Sequence, residues 1–126
     1  MLSSLALALT GVTAAMATYT LQDTYSGSNF FNKFTFFTGA DPTHGFVNYL
    51  SYQNALNGGL IPNASVPKWG VDTYNTLSTS GTGRSSVRIA SNAVYNHGLF
   101  IADIEHMPGS ICGVWPAYWL LGGGTW

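Results

Sequence analysis

The stretch that decides the fold is SSVRIAS, at residues 85–91. Its side chains alternate between two faces, because Val87 and Ile89 fall on one side and Arg88 falls on the other. A period of two is typical of a β-strand whose two faces meet different surroundings. The sequence therefore predicts a strand that turns an aliphatic face inward and holds one long cation on its other face.

A second strand is predicted at residues 99–106, which are LFIADIEH. Here Phe100 and Ile104 share one face, and Asp103 and Glu105 share the other. Carboxylates at i and i+2 on a strand lie about 6.5–7 Å apart at the backbone. That spacing falls within the range of the acid–base pair of an inverting glycosidase. The alternative, which we favour, is a solvated face or a pairing with Arg or Lys.

Further strands are predicted at residues 30–37, 47–52 and 71–77, and residues rich in Gly and Pro separate these runs. No helix longer than one turn is expected after the N-terminal segment. Several short strands at such spacing favour an all-β fold, either a sandwich or a jelly roll.

The composition excludes several classes of function. The 126 residues include 4 Lys+Arg and 5 Asp+Glu, which give a net charge of −1 and leave too few cations for a nucleic-acid-binding face. A hydrophobic fraction of 46% also argues against disorder. Neither a phosphate-binding glycine loop nor a set of histidines at metal-binding spacing is found, so we predict no cofactor and no metal. The single Cys112 is either a buried free thiol or one whose partner is missing from this chain.

The N-terminus has the features of a signal peptide at residues 1–17. No charged side chain precedes Asp23, and an apolar run at residues 5–15 leads into the small-x-small triplet AMA. The run is shorter than the about 20 residues that a membrane span needs. A buried helix or an uncleaved anchor is the alternative. We therefore expect a secreted protein without a membrane segment after cleavage, with an N-glycosylation acceptor at Asn63.

An aromatic run, GVWPAYWLL, occupies residues 113–121, and Trp126 follows it. In an extended chain Trp115 and Trp119 lie on the same side. Flat indole faces stack on the apolar face of a pyranose, while polar neighbours bind its hydroxyls. Tryptophans of the hydrophobic core are the alternative.

Four ordered motifs resemble a known family. FIADIEHMP at residues 100–108 and GVWPAYWL at 113–120 resemble the signature of glycoside hydrolase family 16. DPTHGFVNY at 41–49 and GRSSVRI at 83–89 resemble secreted fungal endo-1,3(4)-β-glucanases of laminarinase type. The likeness extends over residues 19–126. It implies a two-sheet β-jelly roll, incomplete in this chain, whose concave sheet holds a glucan in a long cleft.

The resemblance also implies a retaining hydrolase, whose nucleophile and acid/base lie in a Glu-x-Asp-x-x-Glu motif. These 126 residues contain no such motif. We therefore assign no catalytic residue, and expect residues 18–126 to be the N-terminal portion of a family 16 domain that is inactive by itself. The alternative is a non-catalytic, secreted, lectin-like protein that binds β-glucan.

The family's substrate-binding residues carry over to four positions. Trp119 and Trp126 match tryptophans that bind glucosyl units on the non-reducing side of the cut. Arg88 matches a cleft arginine that donates to sugar hydroxyls, and Asn48 is a further candidate for a hydroxyl partner. Trp115 is expected to be structural. The partner implied is a β-1,3 or mixed-linkage glucan, bound by a monomer.

Overall fold

The computed structural model describes residues 18–122. The regular structure consists of a 3₁₀-helix, four short strands and one α-helix, in the order 3₁₀ (Gly27–Lys33), β1 (Phe34–Phe36), β2 (Val47–Tyr49), α1 (Tyr52–Asn57), β3 (Arg84–Ser86) and β4 (Ile89–Ser91). The described part is therefore β-rich and its elements are short. No helix within it is long and apolar enough to cross a membrane.

The strands form two small sheets. Strand β1 pairs with β4 in antiparallel register, with Phe34 opposite Ser91. Strand β2 pairs with β3 in parallel register, with Val47 opposite Arg84. An isolated antiparallel bridge adds Val71 to the second sheet.

The predicted strand at residues 85–91 is present as two strands separated by two residues. The Leu50 N–H donates to the Ser86 carbonyl at 3.0 Å, and the Phe37 N–H donates to the Arg88 carbonyl at 3.0 Å. The chain therefore changes pairing partner between Ser86 and Arg88, which ends β3 and begins β4. The intervening Val87 packs against the core, as the alternation predicted.

The core is small and is centred on the segment that follows β2. Its buried side chains are Ala55, Leu60 and Ile61. Partly buried apolar side chains pack around them, namely Phe31, Phe36, Leu50 and Val87. Strand β1 thus contacts this cluster through Phe36, and the connection between β3 and β4 contacts it through Val87.

The expectation that no helix would exceed one turn is wrong. Helix α1 begins after Ser51, whose hydroxyl accepts a hydrogen bond from the Asn54 N–H at 3.3 Å. Ala55 is completely buried. The cap and this one core contact specify a helix too short to show a helical period in the sequence. Consequently the strand predicted at residues 47–52 ends at Tyr49.

The strands predicted at residues 30–37 and 71–77 also differ from the structure. The first half of residues 30–37 is a 3₁₀-helix, which buries Phe30 between the rings of Phe34 and Trp69. Residues 71–77 form only one bridge. The Asp72 carboxylate accepts the N–H groups at positions 74 and 75, so those groups take no part in a strand ladder.

The strand predicted at residues 99–106 is absent. Residues 96–122 are exposed, and the structure describes only turns and irregular chain there. Alternation produces a strand only where a neighbouring strand accepts its hydrogen bonds. Within residues 18–122, no strand pairs with this stretch.

Candidate functional site

Three aromatic rings surround the guanidinium of Arg88. Its central carbon lies 4.8 Å from the ring centre of Phe37, 5.3 Å from that of Trp119 and 5.8 Å from that of Tyr49. Each distance falls within the about 6 Å over which a cation is attracted to the face of an aromatic ring. We call these four side chains the arginine cluster.

The strand pairing explains why these residues meet. Val87 faces the core, so the pleat directs the next side chain, Arg88, to the opposite face. Phe37 follows β1 and is hydrogen-bonded to the Arg88 backbone. Tyr49 ends β2, the strand beside β3. The change of partner at residues 87–88 therefore brings side chains from both sheets around one cation.

An acidic side chain completes the surroundings of Arg88. The Asp41 Oδ1 lies 3.6 Å from a guanidinium nitrogen of Arg88, and accepts a hydrogen bond from the Tyr49 hydroxyl at 3.3 Å. The Asp41 Oδ2 accepts from the Thr43 hydroxyl and from the Gly45 N–H. Only 8% of the Asp41 side chain is exposed, and 22% of that of Arg88.

These contacts set the charges of the site. The Thr43 hydroxyl and then the Gly45 N–H lower the pKa of Asp41, with a smaller contribution from the Arg88 charge. Burial, followed by the negative charge of Asp41, raises the pKa of Tyr49. At neutral pH the carboxylate is therefore ionised and the phenol is neutral, so Arg88 faces one compensating charge.

Trp119 gives the site its accessible surface. Its side chain is half exposed and is not among the buried core residues of the described chain. A half-exposed indole beside guanidinium N–H donors can stack on a sugar ring and also bind its hydroxyls. Trp115 is 92% exposed, and it therefore lacks the packing that the structural role predicted for it requires.

Asn48 is not a member of the arginine cluster. Asn48 lies on β2 next to Tyr49, so the pleat places its side chain on the opposite face from Tyr49. Its role stays a prediction. Trp126 and the signal peptide predicted at residues 1–17 lie outside the described residues. Asn63 is exposed, as a glycan acceptor must be.

Two further expectations can be compared with the structure. Asp103 and Glu105 are exposed on irregular chain, so they do not share a strand face. Cys112 is an exposed free thiol, and the expectation of a buried one is wrong. Within residues 18–122, no group of three His, Cys, Asp or Glu side chains could hold a metal ion.

The sequence reasoning missed three members of this site: Asp41, Phe37 and Tyr49. Asp41 lies in the motif at residues 41–49, and its residue type alone indicates no role there. The chain has only five acidic residues, so a carboxylate within a motif of the same family as the arginine segment was an available signal. Tyr49 ends the same motif as Asp41, whereas Phe37 lies in none of the motifs. The meeting of these two rings at Arg88 depends on the pairing of strands distant in sequence, which residue types do not show.

Comparison with known proteins places the chain in a family. Residues 34–126 match the family model of the XgeA-like, catalytic GH16 domain. The endo-1,3(4)-β-glucanase xgeA of Emericella nidulans is 44% identical over 123 residues, which cover 96% of this chain and 20% of that protein.

Solved structures agree with this assignment. A crystal structure of an elongating GH family 16 β-1,3-glucosyltransferase has a TM-score of 0.72 at 50% identity, and the match covers 75% of this chain and 33% of that one. Laminarinase 16A from Phanerochaete chrysosporium, with 6-O-glucosyl-laminaritriose in donor and acceptor sites, has a TM-score of 0.58 at 47% identity. That match covers 63% of this chain and 27% of the laminarinase.

The matches cover a small share of each relative but most of this chain. The chain spans 16–20% of the length of the first relatives that it matches. The family model nevertheless covers most of the chain, and both motifs that contribute Asp41 and Arg88 lie inside the matched residues. The chain therefore belongs to glycoside hydrolase family 16, in its XgeA-like group of catalytic domains.

Proposed function

We propose that this chain supplies one wall of the substrate cleft of a retaining endo-β-1,3(4)-glucanase domain with the jelly-roll fold. In this proposal the arginine cluster binds glucosyl units on the non-reducing side of the bond that is cut. Trp119 stacks on a sugar ring, and Arg88 donates hydrogen bonds to the hydroxyl groups. Asn48 and Trp126 are further candidate partners of the same glucan.

One observation carries the proposal, namely that the Arg88 guanidinium lies 5.3 Å from the ring centre of the half-exposed Trp119. A neutral oligosaccharide requires a flat apolar surface and adjacent donors rather than a charged patch. Because Asp41 offsets the charge of Arg88, the cluster offers donors with little net charge. The glucans bound by the related laminarinase are of the class for which this surface is suited.

Titration calorimetry with defined oligosaccharides tests this function. We expect the 126-residue chain to bind laminarihexaose or a mixed-linkage β-glucan hexasaccharide more tightly than xylohexaose, whose units lack the C6 hydroxymethyl group. The comparison of the two glucans also identifies the linkage preference. Equal affinity for all three oligosaccharides, or no heat of binding with any of them, would contradict the proposal.

A second candidate function is glucan binding without cleavage. It is favoured by the absence of a Glu-x-Asp-x-x-Glu motif from the 126 residues. Both candidates use the arginine cluster in the same way, so affinity does not separate them. A reducing-sugar assay on the chain does not separate them either, because both candidates expect no release of sugar. Sequencing of the full transcript does, because an in-frame Glu-x-Asp-x-x-Glu motif after Trp126 would favour the first candidate and its absence the second.

We also propose that the protein is a secreted monomer, cleaved after Ala17 and glycosylated at Asn63. The support is the uncharged apolar N-terminus and the exposed position of the acceptor asparagine. N-terminal sequencing of protein from the medium should begin at Thr18. The Asn63→Gln and Ser65→Ala variants should both lose the mass of one glycan, whereas an unchanged mass would contradict the glycosylation.

A further inference from the structure

The loop at residues 41–45 holds one carboxylate in a fixed orientation. The Asp41 Oδ2 accepts hydrogen bonds from the Thr43 hydroxyl and the Gly45 N–H, while the Asp41 carbonyl accepts from the His44 N–H at 2.9 Å. His44 has a φ of 60°, a left-handed conformation that is unusual for a residue with a side chain. The loop thus places a non-glycine residue in a costly conformation while it orients Asp41.

The other oxygen of this carboxylate is directed toward the arginine cluster. The Asp41 Oδ1 accepts from the Tyr49 hydroxyl and lies 3.6 Å from a nitrogen of Arg88. That separation is longer than a hydrogen bond, so the attraction orients the guanidinium without committing its N–H groups to Asp41. Arg88 also donates toward the Tyr49 hydroxyl. A guanidinium has five N–H donors, so others can donate to a ligand while the cation stays in place.

The position of Arg88 needs such a constraint. An arginine side chain has several rotatable bonds, and ring contacts alone attract a cation without selecting its direction strongly. Asp41 lies at 3.6 Å from the guanidinium, and the Trp119 ring centre lies at 5.3 Å from it. The Asp41 carboxylate, which is hydrogen-bonded within its own loop, therefore orients the Arg88 guanidinium so that it contacts Trp119 and can donate to the sugar.

We propose that Asp41 is a positioning residue for glucan binding, which acts by holding the Arg88 guanidinium beside Trp119. The inference rests on the proposed function, because it assigns to Arg88 the donation to sugar hydroxyls. Asp41 itself need not touch the glucan. Its effect on affinity therefore depends on the presence of Arg88.

The Asp41→Asn variant isolates this effect. Its amide oxygen can still accept from Thr43 and Gly45, so the loop is retained, whereas the amide group turned to Arg88 is neutral. The Asp72→Asn variant is a matched control. Asp72 also accepts hydrogen bonds from its own loop and lies 4.0 Å from an arginine, Arg84, which is outside the arginine cluster.

Two measurements on the 126-residue chain test the proposal. In the NMR spectrum, the Arg88 Nε–H signal should lose its ring-current displacement in Asp41→Asn and keep it in Asp72→Asn. The dissociation constant for laminarihexaose should rise about tenfold in Asp41→Asn, as expected for loss of one charge-assisted contact. In an Arg88→Gln background the same Asp41 substitution should leave the dissociation constant unchanged.

A measurement on the unsubstituted chain guards against misfolding of the variant. In an acid titration, the Arg88 Nε–H signal should move with the same midpoint as the Asp41 carboxyl carbon. An Arg88 signal unaffected by both the substitution and the titration overturns the proposal, as does an equal loss of affinity with and without Arg88. If the Arg88 signal responds but the unsubstituted chain binds no glucan, the orientation of Arg88 by Asp41 is confirmed, whereas the proposed function fails and with it the role of Asp41 in glucan binding.

Discussion

The central carbon of the Arg88 guanidinium lies 5.3 Å from the ring centre of Trp119. The two residues come from different parts of the chain, one between β3 and β4 and the other in the exposed aromatic run. Their contact places a hydrogen-bond donor over the face of the indole ring. If a glucan uses both, loss of either residue must weaken binding, and the two losses must depend on each other.

The first prediction concerns the stacking surface. The Trp119→Ala substitution should cost roughly 1–3 kcal/mol of affinity for laminarihexaose, because it removes one large aromatic contact. Titration calorimetry measures the loss directly. Trp115→Ala is the control, since this tryptophan is 92% exposed and is not a member of the arginine cluster. An equal loss of laminarihexaose affinity in the two variants would contradict the stacking of Trp119 on the sugar.

The second prediction concerns acid pH. Hydrogen bonds from Thr43 and Gly45, with the charge of Arg88, lower the folded-state pKa of Asp41. A group with a lowered folded pKa contributes stability that is present above its unfolded pKa of about 4 and is lost as the pH falls through the folded value. Glucan affinity depends on the folded state alone, so it should remain constant from pH 7 to about pH 4 and decrease only as the pH falls through the lowered folded pKa of Asp41, because protonated Asp41 no longer attracts Arg88.

The Asp41→Asn variant provides the control for this prediction. Its glucan affinity should be lower than that of the unsubstituted chain at neutral pH. Its affinity should not show the additional decrease in acid that protonation of Asp41 causes in the unsubstituted chain. The pKa of Asp72 is also lowered, first by the Tyr74 N–H, so part of the acid loss of stability belongs to Asp72. A binding curve in which Asp41→Asn and the unsubstituted chain lose affinity together would contradict the assignment to Asp41.

The face that Arg88 takes was predictable from sequence, because local alternation specifies which side of a strand a side chain occupies. Val87 and Arg88 fall on opposite faces in the structure, as their spacing predicted. The partner change at this point was not predictable, since it depends on which distant strands are available to pair. For the same reason the alternating residues 99–106 do not form a strand within the described chain.

Helix α1 illustrates a different limit of sequence reasoning. Six residues are too few to show a helical period, and the determinants are the Ser51 cap and the burial of one small side chain, Ala55. Asp41 was missed because its role depends on a loop whose hydrogen bonds cannot be read from residue types alone. Family resemblance identified Arg88 and Trp119, but geometry was needed to relate them.

The third prediction is that the 126-residue chain releases no reducing sugar from laminarin or lichenan. A retaining glycosidase needs two carboxyl groups about 5–5.5 Å apart at the sugar. Three of the five acidic side chains take part in other contacts, Asp23 with Tyr95, Asp41 with Arg88 and Asp72 with Arg84. The remaining two, Asp103 and Glu105, are exposed on irregular chain.

A reducing-sugar assay at high protein concentration checks this expectation. The Asp103→Asn and Glu105→Gln variants are included for comparison. Turnover by the unsubstituted chain that both substitutions abolish would overturn the prediction and identify this pair as catalytic. Turnover that neither substitution changes would indicate a contaminating enzyme in the preparation.

The fourth prediction concerns the glycine that precedes β3. Gly83 has a φ of +97°, and a Cβ at this position would lie 2.5 Å from the Val47 backbone nitrogen. The Gly83→Ala substitution should therefore lower the free energy of unfolding by roughly 2–4 kcal/mol, from left-handed strain and from separation of β2 and β3. Because the start of β3 determines the register that leads to Arg88, glucan affinity should fall as well.

Gly70→Ala is the control: no atom lies within 4 Å of its Cβ, so its unfolding free energy should change by less than about 1 kcal/mol. Urea unfolding followed by tryptophan fluorescence measures both variants, and equal midpoints would contradict the close approach of Gly83 to β2.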